Sequence, residues 1–222
     1  ADSMVDIQKR LISRENFRTA VVAEAEFLER GIPILDYRSI TPDVDGDAEK
    51  LSRFEPPPVT LPVEMPREGW RTSTSVSFVA KTFETVRMDH KDAPRLSVIS
   101  KILRSLFLHR EIREKGGAYG GFALYNVENG LFSFASYRDP HVIETLNVYE
   151  RASAFITSGE DRDEDIKEAI LQVCSDIDKP DPPGPAAKKS FYRKIVSMED
   201  EDRRRFKKRL LVLKKKDVVE TS

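Results

Sequence analysis

The stretch from Leu96 to Arg138 narrows the choice of fold more than any other. Leu96, Ile99, Leu103 and Leu106, reinforced by Ile102 and Phe107, recur at the spacing of one face of an amphipathic helix of about five turns. Asp92-Ala-Pro94 gives that helix a start, with proline in its first turn. Gly116-Gly117 gives it a stop, because glycine accepts the left-handed conformation that ends many helices. Two strands follow, Ala118 to Asn126 and Leu131 to Arg138, joined by Val127-Glu-Asn-Gly130, a strong hairpin signal. A helix that feeds an antiparallel hairpin argues against a doubly wound parallel sheet. The expected fold class is α+β: an antiparallel sheet with helices packed on one face.

The flanks fill in that plan. Residues 5–13 read as a short helix, 16–23 as a strand, and 25–40 as a partly helical segment interrupted by Gly31 and Pro33. These elements cannot close a sheet alone and read as the tail of a preceding domain. Residues 41–69 hold Pro42, Pro56, Pro57, Pro58, Pro62 and Pro66 without periodicity and form the expected linker. The main domain is therefore expected over residues 70–222. It opens on a half-buried strand over 73–83, with Val76, Phe78 and Ala80 on the buried face. Asp139-Pro140 starts a helix that runs to Ser158-Gly159, and Asp161 to Asp165 open another through Ile166, Ile170, Val173 and Ile177. Pro180 to Pro185 is a rigid connector, and 186–196 and 199–216 are two further helices.

Composition removes several function classes. With 37 basic residues against 38 acidic, the net charge is −1, which offers no general field for nucleic acid or an anionic membrane. The basic run from Arg203 to Lys216 is interleaved with Phe206, Leu210, Leu211 and Leu213, the pattern of an amphipathic helix with acids at its head and bases at its tail. No apolar run approaches the ~20 residues that cross a bilayer. Neither nucleic acid nor membrane is an expected partner. Cys174 is the single cysteine and sits in an apolar helical pattern, as a structural thiol does. His90, His109 and His141 are not at metal-ligand spacing, and no Gly-x-Ser-x-Gly is present, so no metal site and no acyl-transfer nucleophile are expected.

One cluster remains, His109-Arg-Glu-Ile-Arg-Glu-Lys-Gly-Gly-Ala-Tyr-Gly-Gly121. It cannot be a Walker-type phosphate loop, since the order here is helix, loop, strand rather than strand, loop, helix. Gly116, Gly117, Gly120 and Gly121 allow another backbone to approach closely, as a peptide laid along a sheet edge would. Arg113 at the helix end and Tyr119 beyond the glycines can both donate to one peptide carbonyl or oxyanion. A plain helix-to-strand turn is the other reading of the same residues.

The segments Leu108 to Gly121, Phe132-Ser-Phe-Ala-Ser-Tyr-Arg-Asp-Pro140 and Ile143-Glu-Thr-Leu146 together resemble the last domain of the presequence protease and falcilysin branch of the pitrilysin/insulinase zinc metallopeptidases. The resemblance is dense from about Thr72 to Asp178, and Ile7 to Ile40 resembles the end of the preceding domain. It implies a four-domain clamshell whose first domain holds zinc through an inverted His-x-x-Glu-His motif, while the last contributes an arginine and a tyrosine that match Arg113 and Tyr119. This chain has no inverted zinc motif, so its expected cofactor is none, with zinc in the parent enzyme. It also ends at Ser222, where the family continues through a final helix and strand, so a truncated domain is expected. The resemblance implies that the chain is the non-zinc C-terminal part of a peptidase acting on short unstructured peptides, partnered by the zinc-bearing N-terminal half of the same protein. A mitochondrial or other organellar lumen would be its location. The alternative is an inactive homologue that serves as a peptide- or subunit-binding module.

Overall fold

The computed structural model describes residues 4–5, 20–31, 73–159 and 162–221. All of the expected helix over 5–13 but Val5, and the linker over 41–69, lie outside these residues. So does most of the strand expected over 16–23, and its described end, residues 20–23, is neither helix nor strand. The chain divides into two units, one of residues 1–56 and 181–197, the other of residues 57–180 and 198–222. In the first, α1 (Ala25–Gly31) is stitched by an exposed Arg30–Glu26 pair at 2.9 Å, and α7 (Pro183–Ile195) starts on proline.

The second unit holds the sheet. Its strands β1 (Ala80–Glu84), β2 (Gly120–Asn126) and β3 (Leu131–Tyr137) pair antiparallel in the order β1-β3-β2. The hairpin forms where the sequence placed it, with Gly130 at φ +70° and its N–H donating to Asn126 O. Alternation along β3 buries Phe132, Phe134 and Ser136 and leaves Leu131 and Tyr137 exposed. Among the described residues helices pack on the buried face: Tyr149 stacks on Phe134 with ring centroids 5.1 Å apart, and within the helical layer Phe107 stacks on Phe155 at 4.8 Å. Burial pushes the Tyr149 hydroxyl up to about 12, and it donates to Val79 O at 3.1 Å. The α+β architecture, an antiparallel sheet with helices on one face, is therefore present.

Several expectations change. The first strand is short, and its faces are the reverse of those expected. Val79 is buried while Phe78 is 67% exposed, because Lys81 and Phe83 share the helix-side face with Phe134 and Phe132. Lys81 is tolerated there because its ammonium reaches out to Glu150. The helix expected from Asp139 to Ser158 breaks at Arg151 into α4 (Val142–Glu150) and α5 (Ala152–Ser158), the latter ending on Gly159 at φ +73°. The last helix is likewise two, α8 (Asp200–Leu210) and α9 (Lys215–Val219). The second break occurs because Asp217 caps a new start, accepting from Lys214 N at 2.9 Å. Asp165 and Asp202 serve α6 (Asp163–Asp178) and α8 in the same way, accepting from Arg162 N and Glu199 N at 2.7 and 3.1 Å.

The largest change concerns the long helix. It begins as expected in α2 (Ala93–Ile102), then winds as a π-helix through α3 (Leu103–Lys115). The buried side chains of α3 are Leu103, Phe107, Leu108 and Ile112. Their spacing follows the wider π turn of roughly 4.4 residues rather than the 3.6 of an α-helix.

Candidate functional site

The site is built on the junction between α3 and β2. Gly116 and Gly117 both donate to Arg113 O, and Ala118 N donates to Ile112 O at 3.1 Å, a helix closure widened by the π winding. Gly117 must be glycine for its φ of +74°, while the space around it is open. Gly121 must be glycine for a different reason. A Cβ there would lie 3.0 Å from Ile112 Cβ and 3.1 Å from Leu108 O, so β2 is drawn tightly against α3. Gly120 and Gly121 are both buried, whereas Gly116 is half-buried and Gly117 exposed. Gly116 and Gly117 are the more open pair; Gly121 seats the strand on α3, while a Cβ at Gly120 would meet the Phe122 ring at 2.9 Å.

Arg113 leaves the last turn of α3 into solvent, with its Nη1 3.2 Å from His109 Nε2. The other imidazole nitrogen, Nδ1, lies 3.2 Å from Glu114 Oε1. Tyr119 is 68% exposed. Its backbone is fixed by a 3.0 Å bond from Tyr119 N to Tyr137 O, and its ring meets the Tyr137 ring edge-to-face at 5.6 Å. Tyr137 in turn meets Phe78 edge-to-face at 5.2 Å, and the Arg138 guanidinium lies 5.6 Å over the Tyr137 ring. An exposed aromatic row therefore backs Tyr119.

Sequence reasoning missed Phe78 and Tyr137. The signal was present in the Ser-Tyr-Arg-Asp-Pro run, but alternation alone assigned Phe78 to the core. Arg138 adopts φ +50°, an uncommon conformation for a non-glycine residue. Asp139 holds it there. Its backbone pairs with Ser77 in both directions at 2.8 Å, and its buried carboxylate accepts from His141 N at 2.9 Å and Thr145 Oγ1 at 2.7 Å.

On the flank of the junction, Glu111 accepts from Lys115 at 2.7 Å and Arg110 at 3.1 Å, and lies 3.6 Å from Arg151. The Lys115 hydrogen bond is the main cause that holds its carboxyl below the ordinary glutamate range. This network ties α3 to the α4–α5 corner beside a shallow hollow of about 480 Å³ that Gly116, His141 and Glu144 also line. A second hollow of about 640 Å³ runs along β2, past Arg104, Tyr125 and Phe206, and includes neither Arg113 nor Tyr119.

The histidines do not converge: His90 bonds its own turn, accepting from Asp92 N at 3.2 Å, His109 faces Arg113, and His141 stands at the N-terminus of α4 with its backbone N–H on Asp139. Among the described residues no three His, Cys, Asp or Glu side chains come together as metal ligands. These residues do not fit a zinc ion. What the junction offers is a guanidinium and a phenol, both hydrogen-bond donors with no acceptor duty toward a neighbouring nucleophile, suited to an oxygen that carries or develops negative charge.

The model of the PreP C-terminal domain matches residues 68–222, across the whole of this junction. The chain belongs to the PreP C-terminal domain family. Among sequence relatives of this PreP domain, the mitochondrial presequence protease of Xenopus tropicalis is 33% identical over 74% of the chain. That of Kluyveromyces lactis is 43% identical over 47% of it. The chain spans only 16% and 11% of those two proteins. Among solved structures, a peptidase M16 inactive domain from Pseudomonas fluorescens superposes with a TM-score of 0.54 at 15% identity, covering 67% of this chain and 37% of that one. The two share a fold, an antiparallel sheet with helices on one face.

Proposed function

We propose that this PreP C-terminal domain is the non-zinc part of a peptidase of presequence-protease type, and that Arg113 and Tyr119 are its contribution to the substrate site. The observation that carries the proposal is the junction itself. Two exposed donors leave one helix-to-strand turn whose backbone is fixed by hydrogen bonds on both sides, within the span matched to the family. Arg113 and Tyr119 would donate to a carbonyl oxygen of a short unstructured peptide and hold the charge it gains during hydrolysis. Gly116 and Gly117 would let the peptide backbone come close. The zinc and the groups that activate water belong, on this reading, to the N-terminal half of the same protein. The relatives are named as mitochondrial enzymes, and that location is part of the same proposal.

The test uses the whole peptidase. Arg113→Ala and Tyr119→Phe are each expected to lower kcat by about 10²–10³, the usual cost of losing one preorganised donor. Zinc content and thermal unfolding should stay as in the parent. Parent-like turnover by either variant would refute the assignment of that residue.

A further inference from the structure

We infer that His109 is a positioning residue that sets the guanidinium of Arg113, in a clasp with Glu114 that only the π winding of α3 permits. The inference rests on the reading of Arg113 given above and adds a residue to it.

Donor and acceptor chemistry fixes the roles. Arginine has no acceptor, so the 3.2 Å contact between Arg113 Nη1 and His109 Nε2 requires a lone pair on Nε2. With the lone pair on Nε2, the proton of the neutral ring sits on Nδ1, which lies 3.2 Å from Glu114 Oε1, within reach of its electrostatic attraction. One neutral tautomer satisfies both. Glu114 thereby selects the form of the ring that can accept from Arg113, as a carboxylate behind an imidazole commonly does. The bond uses one guanidinium N–H and leaves the other donors of Arg113 for a ligand.

The helix type explains how one ring reaches both partners. In an α-helix of 3.6 residues per turn, position i+4 lies beside i, but i+5 falls well round the cylinder. With roughly 4.4 residues per turn, i+4 and i+5 fall on either side of i. His109, Arg113 and Glu114 hold those positions. Glu111, the other carboxylate of the last turns, is occupied by Lys115, Arg110 and Arg151 and does not compete for Arg113. A π segment of this kind is rare and often marks a functional site; here it delivers a guanidinium with its orientation already set.

The experiment compares His109 variants in the whole peptidase. Glutamine can place its amide oxygen near the Nε2 position, while asparagine reaches only as far as Nδ1. His109→Ala and His109→Asn are expected to lower kcat roughly three- to tenfold, the worth of one hydrogen bond, with KM changed less. His109→Gln should restore most of that loss. Glu114→Leu should lower kcat in the same direction. On an Arg113→Ala background, His109→Ala should add nothing. If Arg113→Ala cripples the enzyme while His109→Ala and His109→Asn turn over at the parent rate, or if Asn restores and Gln does not, the clasp is wrong and the reading of Arg113 stands. If Arg113→Ala is itself silent, the reading of Arg113 falls and takes this inference with it.

Discussion

A single methyl group at Gly121 tests how closely β2 must approach α3. In Gly121→Ala the new Cβ would sit 3.0 Å from Ile112 Cβ, 3.1 Å from Leu108 O and 3.2 Å from Ile112 Cδ1. The carbonyl belongs to helix backbone and cannot rotate aside, and Ile112 is 1% exposed, so it has little room to repack. Against this strain, alanine removes freedom from the unfolded chain, worth about 0.4–1 kcal/mol in favour of the variant. Overpacking costs about 1–3 kcal/mol, so the net loss should be about 1–2 kcal/mol. With a urea slope of about 2 kcal/mol/M, the unfolding midpoint should fall by ~0.5–1 M with the slope unchanged. Trimming the neighbour supplies the cross-check. Ile112→Val alone should cost about 0.5–1.5 kcal/mol, yet much less in the Gly121→Ala background, because it removes one of the atoms in the clash. A neutral or stabilised Gly121→Ala, or a strictly additive pair, would refute the claim that this close approach fixes the strand.

Asp139→Ala should destabilise the domain by about 2–3 kcal/mol in urea unfolding. It strands the His141 N–H and the buried Thr145 hydroxyl and releases the positive-φ turn at Arg138; a loss under 1 kcal/mol would contradict that role. Glu111 should make stability depend on acid. Its folded carboxyl lies below the ordinary value of 4.5, so the unfolded chain takes up the proton first, and the contribution present above that pH is lost as pH falls through it. Urea midpoints measured from pH 7 down to pH 3 should therefore drop less in Glu111→Gln than in the parent, and equal drops would remove Glu111 from the account.

Much of the fold could be read from local chemistry. Asp92-Ala-Pro94, Gly116-Gly117 and the Asn129-Gly130 turn each carry a backbone requirement in a single residue type, and each appears where its residues put it. What escaped depended on distant partners. Whether Phe78 or Val79 faces inward is decided by register against Phe134 and Phe132, more than fifty residues away along the chain, and alternation cannot choose between the two faces. The π winding escaped because Leu96, Ile99, Leu103 and Leu106 satisfy a 3.6 period; the competing set Leu103, Phe107, Leu108 and Ile112 stands out only once burial is known. The candidate site was half legible. Arg113 and Tyr119 were singled out from residue type and position, while the aromatic row behind Tyr119 needed the sheet to bring Phe78 and Tyr137 together.

The winding of α3 also bears on how such a junction could change over time. A π turn holds one residue more than an α turn over the same span, so the direction in which Arg113 points depends on the length of the segment between Leu103 and Lys115 as well as on its composition. Losing a single codon there would let one of its turns relax toward α geometry and swing the arginine around the helix, with every side chain at the rim still encoded. Gaining one codon elsewhere could create such an aim in a helix that lacked it. Insertions and deletions are usually tolerated in loops and damaging in helices. At this helix they would act as a change of bearing, a route to altered function that a comparison of substitutions alone would overlook.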